Sequence, residues 1–184
     1  VSGANEAKRV QKEYMQNHRL NIPTLLMADI IHGFRTIFPI PLALGSTWDE
    51  AAVEKMAEIS AKEAAVSGLH VTFSPMVDLV RDPRWGRVME STGEDPLLNS
   101  RLAAAMVRGY QGENLKEDNW RVAACVKHFA AYGGALAGRD YNTVDMSERQ
   151  LREMYLPGYK AGLDAGAKLV MTSFNTVDGI PATG

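Results

Sequence analysis

Two adjacent cationic side chains end an apolar run in the middle of the chain. Lys127 and His128 follow the apolar residues 122–126 and precede the small residues of FAAYGG. A buried strand that closes on polar side chains is typical of a sheet that delivers those side chains to a site. Because adjacent strand residues point to opposite faces, bringing both into one pocket requires irregular backbone here.

A second apolar run, residues 24–29, ends on Asp29. An ionised carboxylate only accepts hydrogen bonds, so it can hold two hydroxyl groups at once. With Lys127 and His128 as donors opposite it, Asp29 could bind a polar ligand such as a sugar. Each residue also has a plainer interpretation: Asp29 as a turn cap, Lys127 as a surface residue with a packed apolar stem, and His128 as a structural imidazole.

The most densely charged stretch is RDPRWGRVMESTGEDP, residues 81–96. Charge clusters are usually salt-bridged surface loops. Trp85 and the two glycines nevertheless favour a shaped loop. Its ion pairs could aim one arginine at the site, where the fixed fork of a guanidinium would hold neighbouring hydroxyls or a carboxylate.

Two other kinds of site stay open on these residues. One is a metal- or phosphate-dependent site built from Asp29, His32 and His128, although the four histidines show neither H-x-H nor H-E-x-x-H spacing. The other is a sugar-binding barrel without catalytic activity. Reading the sequence further downstream for a nucleophile would separate an enzyme from a binding protein.

The composition narrows the class of protein. The chain has 184 residues, 46% of them hydrophobic, and a net charge of −2, which suits one globular domain. This charge gives no basis for binding nucleic acid or an anionic membrane, and no apolar run is long enough to span a bilayer. We therefore expect no nucleic-acid or membrane partner.

The apolar patterning predicts alternating helices and strands. The predicted strands are residues 24–29, 70–74, 122–127 and 168–173. The first two predicted helices are residues 5–18 and a helix that runs from a Thr47–Glu50 capping box to about residue 66. The other two run from Asp95 to about residue 110 and from Ser147 to about residue 165, with a kink at Pro157. Strands that are apolar on both faces and alternate with helices predict a parallel sheet. The long loops all follow strands, so their residues should meet at one mouth.

We predict an α/β fold of the (β/α)8 type, because no strand-to-helix loop carries the G-x-G-x-x-G of a dinucleotide-binding fold. About four βα units are half of such a barrel. We therefore expect residues 1–184 to be a fragment of a barrel domain, without the rest of the barrel and any C-terminal domain.

The motifs together resemble glycoside hydrolase family 3, specifically the N-terminal barrel domain of β-glucosidases of the bacterial periplasmic type. They are LLMADIIHG (25–33), FPIPLALGSTWD (38–49), SPMVDLVRDPRWGRVMESTGEDP (74–96), VKHFAAYGG (126–134), YNTVDMSERQLREMYLPGYKAGLDAG (141–166) and N-x-x-x-G-x-P-A-T (175–183). The resemblance covers nearly the whole chain. It implies a parent enzyme that hydrolyses terminal non-reducing β-D-glucosyl residues with retention, through a covalent intermediate.

The resemblance also implies the residues that hold the sugar. Asp29, Arg87, Lys127 and His128 would bind its hydroxyls, Arg139 and Tyr141 would rim the pocket, and Met171 and Phe174 would line an apolar wall. The nucleophile Asp and the acid/base Glu are expected beyond Gly184. We therefore expect no catalytic residue in this chain and no activity from it alone.

The resemblance further implies a small β-linked oligosaccharide or glucoside as substrate, no metal or cofactor, and a periplasmic or secreted location; a homodimer of the full-length parent is compatible with it. A β-xylosidase and a β-N-acetylglucosaminidase of the same family are the alternatives. The latter branch resembles KHFPGHG, whereas this chain has KHFAAYG at 127–133, which favours a glucosidase or xylosidase.

Overall fold

The computed structural model describes residues 3–183, and its centre is a four-stranded parallel sheet. The strands follow the sequence order across the sheet: β1 Met27–Ala28, β2 Val71–Thr72, β3 Ala123–Phe129 and β4 Leu169–Thr172. This order is what successive βα units produce when each crossover has the same hand. The predicted α/β class with about four units of a TIM-type barrel is confirmed.

Helices occupy most of the segments between the strands. The α-helices are α1 Ala4–Asn17, α2 Pro41–Gly45, α3 Glu50–Val66, α4 Pro96–Gln111, α5 Glu148–Gln150 and α6 Leu156–Asp164. Short 3-10 turns cover Val88–Glu90, Tyr132–Gly134 and Leu136–Gly138, and a small antiparallel hairpin pairs β5 Thr176–Val177 with β6 Ile180–Pro181. The 3-10 turns lie in the loops that follow β2 and β3.

The main core lies between the sheet and helices α3, α4 and α6. Its buried side chains include Val53 and Met56 from α3, Leu102 and Met106 from α4, and Val126 from β3. Burial of such apolar side chains contributes about 1.5–3 kcal/mol each. Because the helices cover the outer face of the sheet, the carboxyl ends of the strands are left to the loops.

Gly109 allows α4 to approach α3 closely. A Cβ atom at this position would lie 2.3 Å from the Glu54 carbonyl oxygen and 2.6 Å from Ala57 Cβ. We expect Gly109→Ala to lower the free energy of unfolding by about 1–3 kcal/mol, because overpacking outweighs the better helix propensity of alanine. The urea midpoint of the complete protein measures this change.

Gly86→Ala is the matched control for that prediction, since a Cβ atom there would meet nothing within 4 Å. Its urea midpoint should stay close to that of the wild type. Equal midpoints for the two variants would show that the close approach at Gly109 contributes nothing to stability.

One predicted helix start is wrong. Helix α3 begins at Glu50 with Asp49 as its N-cap, whose Oδ1 accepts from Ala52 N at 3.0 Å. Thr47 instead donates its hydroxyl to the Leu44 carbonyl at the end of α2, and Glu50 pairs with Arg101. Thr47 is thus engaged by the preceding turn, and the nearest free capping residue, Asp49, starts the helix.

The caps predicted for the later helices are confirmed. Asp95 accepts from Leu98 N at 2.7 Å, and Pro96 takes the first turn of α4. Ser147 accepts from Gln150 N at 3.1 Å at the start of α5.

The disturbance predicted at Pro157 takes the form of a π-helical turn. Residues Leu151–Tyr155 form this turn between α5 and α6, and Pro157 occupies the first turn of α6. A proline has no N–H to donate and its ring crowds the preceding turn, so the helix widens upstream of it. The segment stays helical and keeps Tyr159 buried.

Candidate functional site

Asp29 and Lys127 meet at the carboxyl edge of the sheet. The Lys127 Nζ atom lies 2.5 Å from Asp29 Oδ1. The lysine side chain is 3% exposed, whereas that of Asp29 is 61% exposed. The buried ammonium therefore holds an accessible carboxylate in place, and the two residues face each other as the sequence predicted.

The backbone of β3 is irregular where it carries Lys127 and His128. Lys127 pairs with Met171 of β4 and Phe129 with Thr172, so the register shifts across His128. The peptide bonds Lys127–His128 and Phe129–Ala130 are cis. Both side chains are buried, and the register shift at His128 confirms the predicted departure from regular strand geometry.

Arg87 reaches the site from the charged loop that follows β2. Its Nε and Nη2 atoms donate to the two oxygens of Glu90, each at 2.7 Å, and its Nη1 lies 3.3 Å from His128 Nε2. The hydrogen bonds with Glu90 raise the pKa of Arg87, although partial burial opposes them. A bidentate pair of this kind fixes the plane of the guanidinium, so Arg87 presents Nη1 in a defined direction.

Trp85 anchors the loop that carries Arg87. Its ring is buried, its Nε1 donates to Asp140 at 3.1 Å, and it meets the ring of Tyr132 edge-on at 5.1 Å. On the outer side of the same loop, Arg84 pairs with Asp82 and lowers the pKa of that carboxyl to about 2. The loop is therefore shaped, as its tryptophan indicated, and only one of these two arginines turns inward.

Aromatic rings form one wall beside His128. The imidazole lies 5.1 Å from the ring of Tyr132 and 5.6 Å from that of Phe174, and Tyr141 lies 5.3 Å from Phe174. Burial raises the pKa of Tyr132, so this phenol stays protonated and neutral. Phe174 and Tyr141 are 54% and 65% exposed, and they therefore offer apolar faces at the mouth.

The two remaining predicted residues differ in their placement. Met171 is half-buried and pairs with Lys127 in the β3–β4 ladder, next to the site. Arg139 is exposed, and its backbone N–H donates to the Leu136 carbonyl. Among residues 3–183, Arg139 is thus the predicted site residue that the structure leaves apart from the others.

Sequence reasoning missed Asp78, Glu90 and Tyr159, which hold the predicted residues in place. Asp78 is buried and accepts from His128, Glu90 grips Arg87, and the Tyr159 hydroxyl lies 2.5 Å from the His128 carbonyl. Two signals were present. Asp78 is a lone charge inside the apolar run PMVDLV, which requires a buried partner, and Glu90 lies three residues after Arg87.

A depression of about 400 Å³ opens beside Asp29 and Arg87. Ile31, Ile37 and Met89 supply apolar surface to it. A larger depression of about 1010 Å³ surrounds Arg121 and other residues before the amino end of β3. The polar side chains described above do not line the larger depression, whereas Asp29, Arg87 and Glu90 line the smaller one. We therefore assign the smaller depression to this site.

The histidines of the metal alternative have protein partners. His128 faces Asp78 with one ring nitrogen and Arg87 with the other, and His32 Nδ1 lies 3.1 Å from the Phe38 carbonyl oxygen. In the part of the chain that the structure describes, no three His, Cys, Asp or Glu side chains are grouped as ligands of a metal ion. Within residues 3–183, no helix has the length and apolar character needed to cross a bilayer.

The comparisons with known proteins agree on one family. The family model described as the glycosyl hydrolase family 3 N terminal domain matches residues 2–184. A periplasmic beta-glucosidase of Salmonella typhimurium is 47% identical over 178 residues, which cover 97% of this chain and 23% of that protein. A beta-xylosidase of Formosa agariphila is 38% identical over 177 residues, which cover 90% of this chain and 24% of that protein.

The fold agrees with the sequence matches. The crystal structure of a beta-glucosidase from Listeria innocua superposes with a TM-score of 0.97 at 63% identity, over 99% of this chain and 25% of that one. The chain therefore spans about a quarter of the length of these relatives. By its family match, its sequence identities and its fold, the chain belongs to glycosyl hydrolase family 3 and matches the N-terminal domain of that family.

Proposed function

We propose that the chain forms the sugar-holding part of a longer β-glucosidase, which hydrolyses terminal non-reducing β-D-glucosyl residues of oligosaccharides or glucosides with retention of configuration. The observation that carries this proposal is the placement of two ion pairs side by side at the carboxyl edge of the sheet. Asp29 pairs with Lys127, Arg87 pairs with Glu90, and Arg87 also contacts His128.

The charges of this constellation balance, which favours a neutral ligand. Each buried or half-buried cation, Lys127 and Arg87, has its own carboxylate, so no net positive charge is left for a phosphate or carboxylate ligand. Sugar hydroxyls donate and accept at once. They therefore suit a surface that mixes an accessible acceptor, Asp29, with donors on Lys127 and Arg87.

The aromatic wall supports the same class of ligand. Phe174 and Tyr141 present exposed ring faces beside His128. The C–H groups on one face of a β-glucosyl ring form an apolar surface that can pack against such rings, while its hydroxyls point outward to polar groups. We propose that Met171 extends this apolar wall next to Lys127, and that Arg139 adjusts only the rim.

The carboxylates near the mouth have structural partners, so we assign none of them to catalysis. Asp29 accepts from Lys127, Asp78 from His128, Glu90 from Arg87 and Asp140 from Trp85. A retaining glycosidase needs one carboxylate free to attack the anomeric carbon and another free to transfer a proton. We propose that a nucleophile Asp and an acid/base Glu beyond Gly184 complete the site, together with the rest of the barrel and a C-terminal domain.

The compared relatives favour a glucoside over a xyloside. The two relatives with the higher identities to this chain are named beta-glucosidases. The Listeria innocua protein has been crystallised with glucose, gluconolactone and isofagomine, and a mutant of it with laminaribiose. The Salmonella typhimurium relative is named periplasmic. We propose a glucoside or small β-linked oligosaccharide as substrate and a periplasmic or secreted location; a homodimer of the complete protein stays a prediction.

Hydrolysis of p-nitrophenyl β-glucoside by the complete protein and by residues 1–184 alone tests the proposal. We expect activity only in the complete protein, with kcat/KM for the glucoside at least about tenfold above that for p-nitrophenyl β-xyloside, because the missing hydroxymethyl group removes contacts. Proton NMR should show β-glucose as the first product. Activity of residues 1–184 alone would mean that one of their own carboxylates is catalytic. Formation of α-glucose as the first product would exclude retention.

A further inference from the structure

Asp78 is a buried residue in the loop after β2, and its carboxylate contacts His128 and Tyr159, which itself contacts His128. The Asp78 side chain is fully buried, and its Oδ2 lies 2.7 Å from His128 Nδ1 and 3.2 Å from the His128 backbone nitrogen. On its other side, Oδ1 lies 2.9 Å from the Tyr159 hydroxyl oxygen, whose single hydrogen is shared between Oδ1 and the His128 carbonyl oxygen. A carboxylate buried at this depth is retained only where its hydrogen bonds compensate for the loss of water.

The partners of the His128 ring determine where its proton lies. Asp78 accepts, so Nδ1 carries the hydrogen of the 2.7 Å contact. The Arg87 guanidinium can only donate, so Nε2, which lies 3.3 Å from Arg87 Nη1, presents its lone pair. Only the Nδ1–H form of the imidazole satisfies both neighbours.

The backbone contacts of Asp78 and Tyr159 restrain the same residue. Asp78 accepts from the backbone N–H of His128, and the Tyr159 hydroxyl lies 2.5 Å from the His128 carbonyl oxygen. The carboxylate and the phenol thus hold both the ring and the peptide groups on either side of it. Residues that hydrogen-bond an imidazole in this way fix the orientation of the ring and select its tautomer.

We propose that Asp78 is a positioning residue for sugar recognition: it holds His128 in the Nδ1–H form, so that Nε2 accepts a hydrogen bond from one sugar hydroxyl while Arg87 donates to the oxygen of the same hydroxyl. The contact between Nη1 and Nε2 is long for a hydrogen bond at 3.3 Å. One oxygen can therefore lie within hydrogen-bond distance of both nitrogens. The inference rests on the proposed function, since it concerns how the same site recognises its ligand.

This arrangement predicts which substituents the site rejects. An acceptor beside a donor is satisfied only by a group that donates and accepts, which a hydroxyl does. A hydrogen in its place satisfies neither nitrogen, and a fluorine can face Arg87 but cannot donate to His128. At this one position of the sugar, the deoxy and the fluoro analogue should both bind poorly, because a buried polar group is left without its partner.

The test compares inhibition constants of glucose with those of its monodeoxy and monofluoro analogues, using the complete protein. The penalty at one position of the sugar is the ratio of the analogue's inhibition constant to that of glucose. The position that His128 contacts is the one whose penalty falls most in His128→Ala, where the donor contact from Arg87 remains, and the position that Asp29 contacts is found in the same way with Asp29→Ala. In Asp78→Asn we expect the penalty at the His128 position to fall at least about fivefold, because an amide no longer enforces the Nδ1–H form. The penalty at the Asp29 position should not change.

Controls separate a selective effect from general damage. Asp95→Asn is the matched substitution, because asparagine caps a helix as well as aspartate does, and its profile of penalties should equal that of the wild type. If Asp78→Asn does not yield folded protein, Tyr159→Phe removes only the hydroxyl that restrains Asp78 Oδ1 and the His128 carbonyl. This second variant should weaken the penalty at the His128 position alone.

A full penalty at the His128 position in Asp78→Asn, or an equal loss at every position in either variant, would overturn the positioning role and leave Asp78 as a general structural residue. Failure of the wild-type protein to bind glucose at all is a different result. It would overturn the proposed function, and the inference would fall with it.

Discussion

Replacing Lys127 with methionine is expected to lower kcat/KM of the complete protein for p-nitrophenyl β-glucoside by about 10- to 150-fold. The Lys127 ammonium is buried and lies 2.5 Å from Asp29, so the change removes a charged donor and also leaves the Asp29 carboxylate without its partner. Hydrogen bonds to charged groups contribute about 1.5–3 kcal/mol, and about 1.4 kcal/mol corresponds to a tenfold change. Steady-state kinetics on purified protein measure the effect.

Two further variants support the interpretation of that result. Asp29→Ala changes an exposed side chain, which limits its effect on folding, and it should lower kcat/KM more than about tenfold. Lys160→Met changes an exposed lysine that pairs with Asp164 on the same helix, and it should stay within about twofold of the wild type. Wild-type kinetics in both Lys127→Met and Asp29→Ala would remove this ion pair from the sugar site.

Arg87→Lys is the second change for which we expect a large effect, a fall in kcat/KM of about 10- to 100-fold. A lysine cannot hold both oxygens of Glu90 and at the same time present a planar donor beside His128, as Arg87 does. The substitution keeps the positive charge, so it tests the geometry of the guanidinium rather than its charge. Kinetics with p-nitrophenyl β-glucoside again give the measurement.

Arg84→Lys is the matched control, because Arg84 belongs to the same loop but pairs with Asp82 at the surface. It should stay within about twofold of the wild type, since exposed ion pairs contribute little. Equal effects of the two substitutions would mean that the loop matters as a whole and that Arg87 has no particular role.

The meeting of the site residues was predictable because it follows from the topology. In a parallel sheet the carboxyl ends of the strands share one edge, so polar residues that end or follow apolar runs must lie near one another. Asp29, Lys127 and His128 could be read in this way from the sequence, and the structure brings them together with Arg87 and Phe174. Tyr141 joins them through its contact with Phe174.

The residues that hold the site in place, Asp78 and Tyr159, could not be predicted in the same way. Asp78 lies inside an apolar run, and its partner Tyr159 is 81 residues away, on a helix whose orientation depends on the packed core. No local pattern records such a contact. A π-helical turn at Leu151–Tyr155 precedes the helix that carries Tyr159, and the apolar pattern did not predict it.

The sequence also left the exact ends of helices and strands open. Thr47 and Asp49 are both good capping residues, and the structure selects Asp49 because Thr47 closes the preceding turn. Strand β1 comprises Met27–Ala28, although residues 24–29 were predicted; Asp29 lies past the end of the strand, where it pairs with Lys127. The hydrophobic run thus predicted the strand but not the extent of its pairing.

A crystal structure of the complete protein with bound glucose would show directly which side chains hold the sugar. We expect sugar hydroxyls within hydrogen-bond distance of Asp29, Lys127, Arg87 Nη1 and His128 Nε2, with Phe174 beside the ring. A hydroxyl that contacts both Arg87 and His128 would also support the role given to Asp78. Glucose bound at another edge of the sheet, away from these four side chains, would show that they do not form the sugar site.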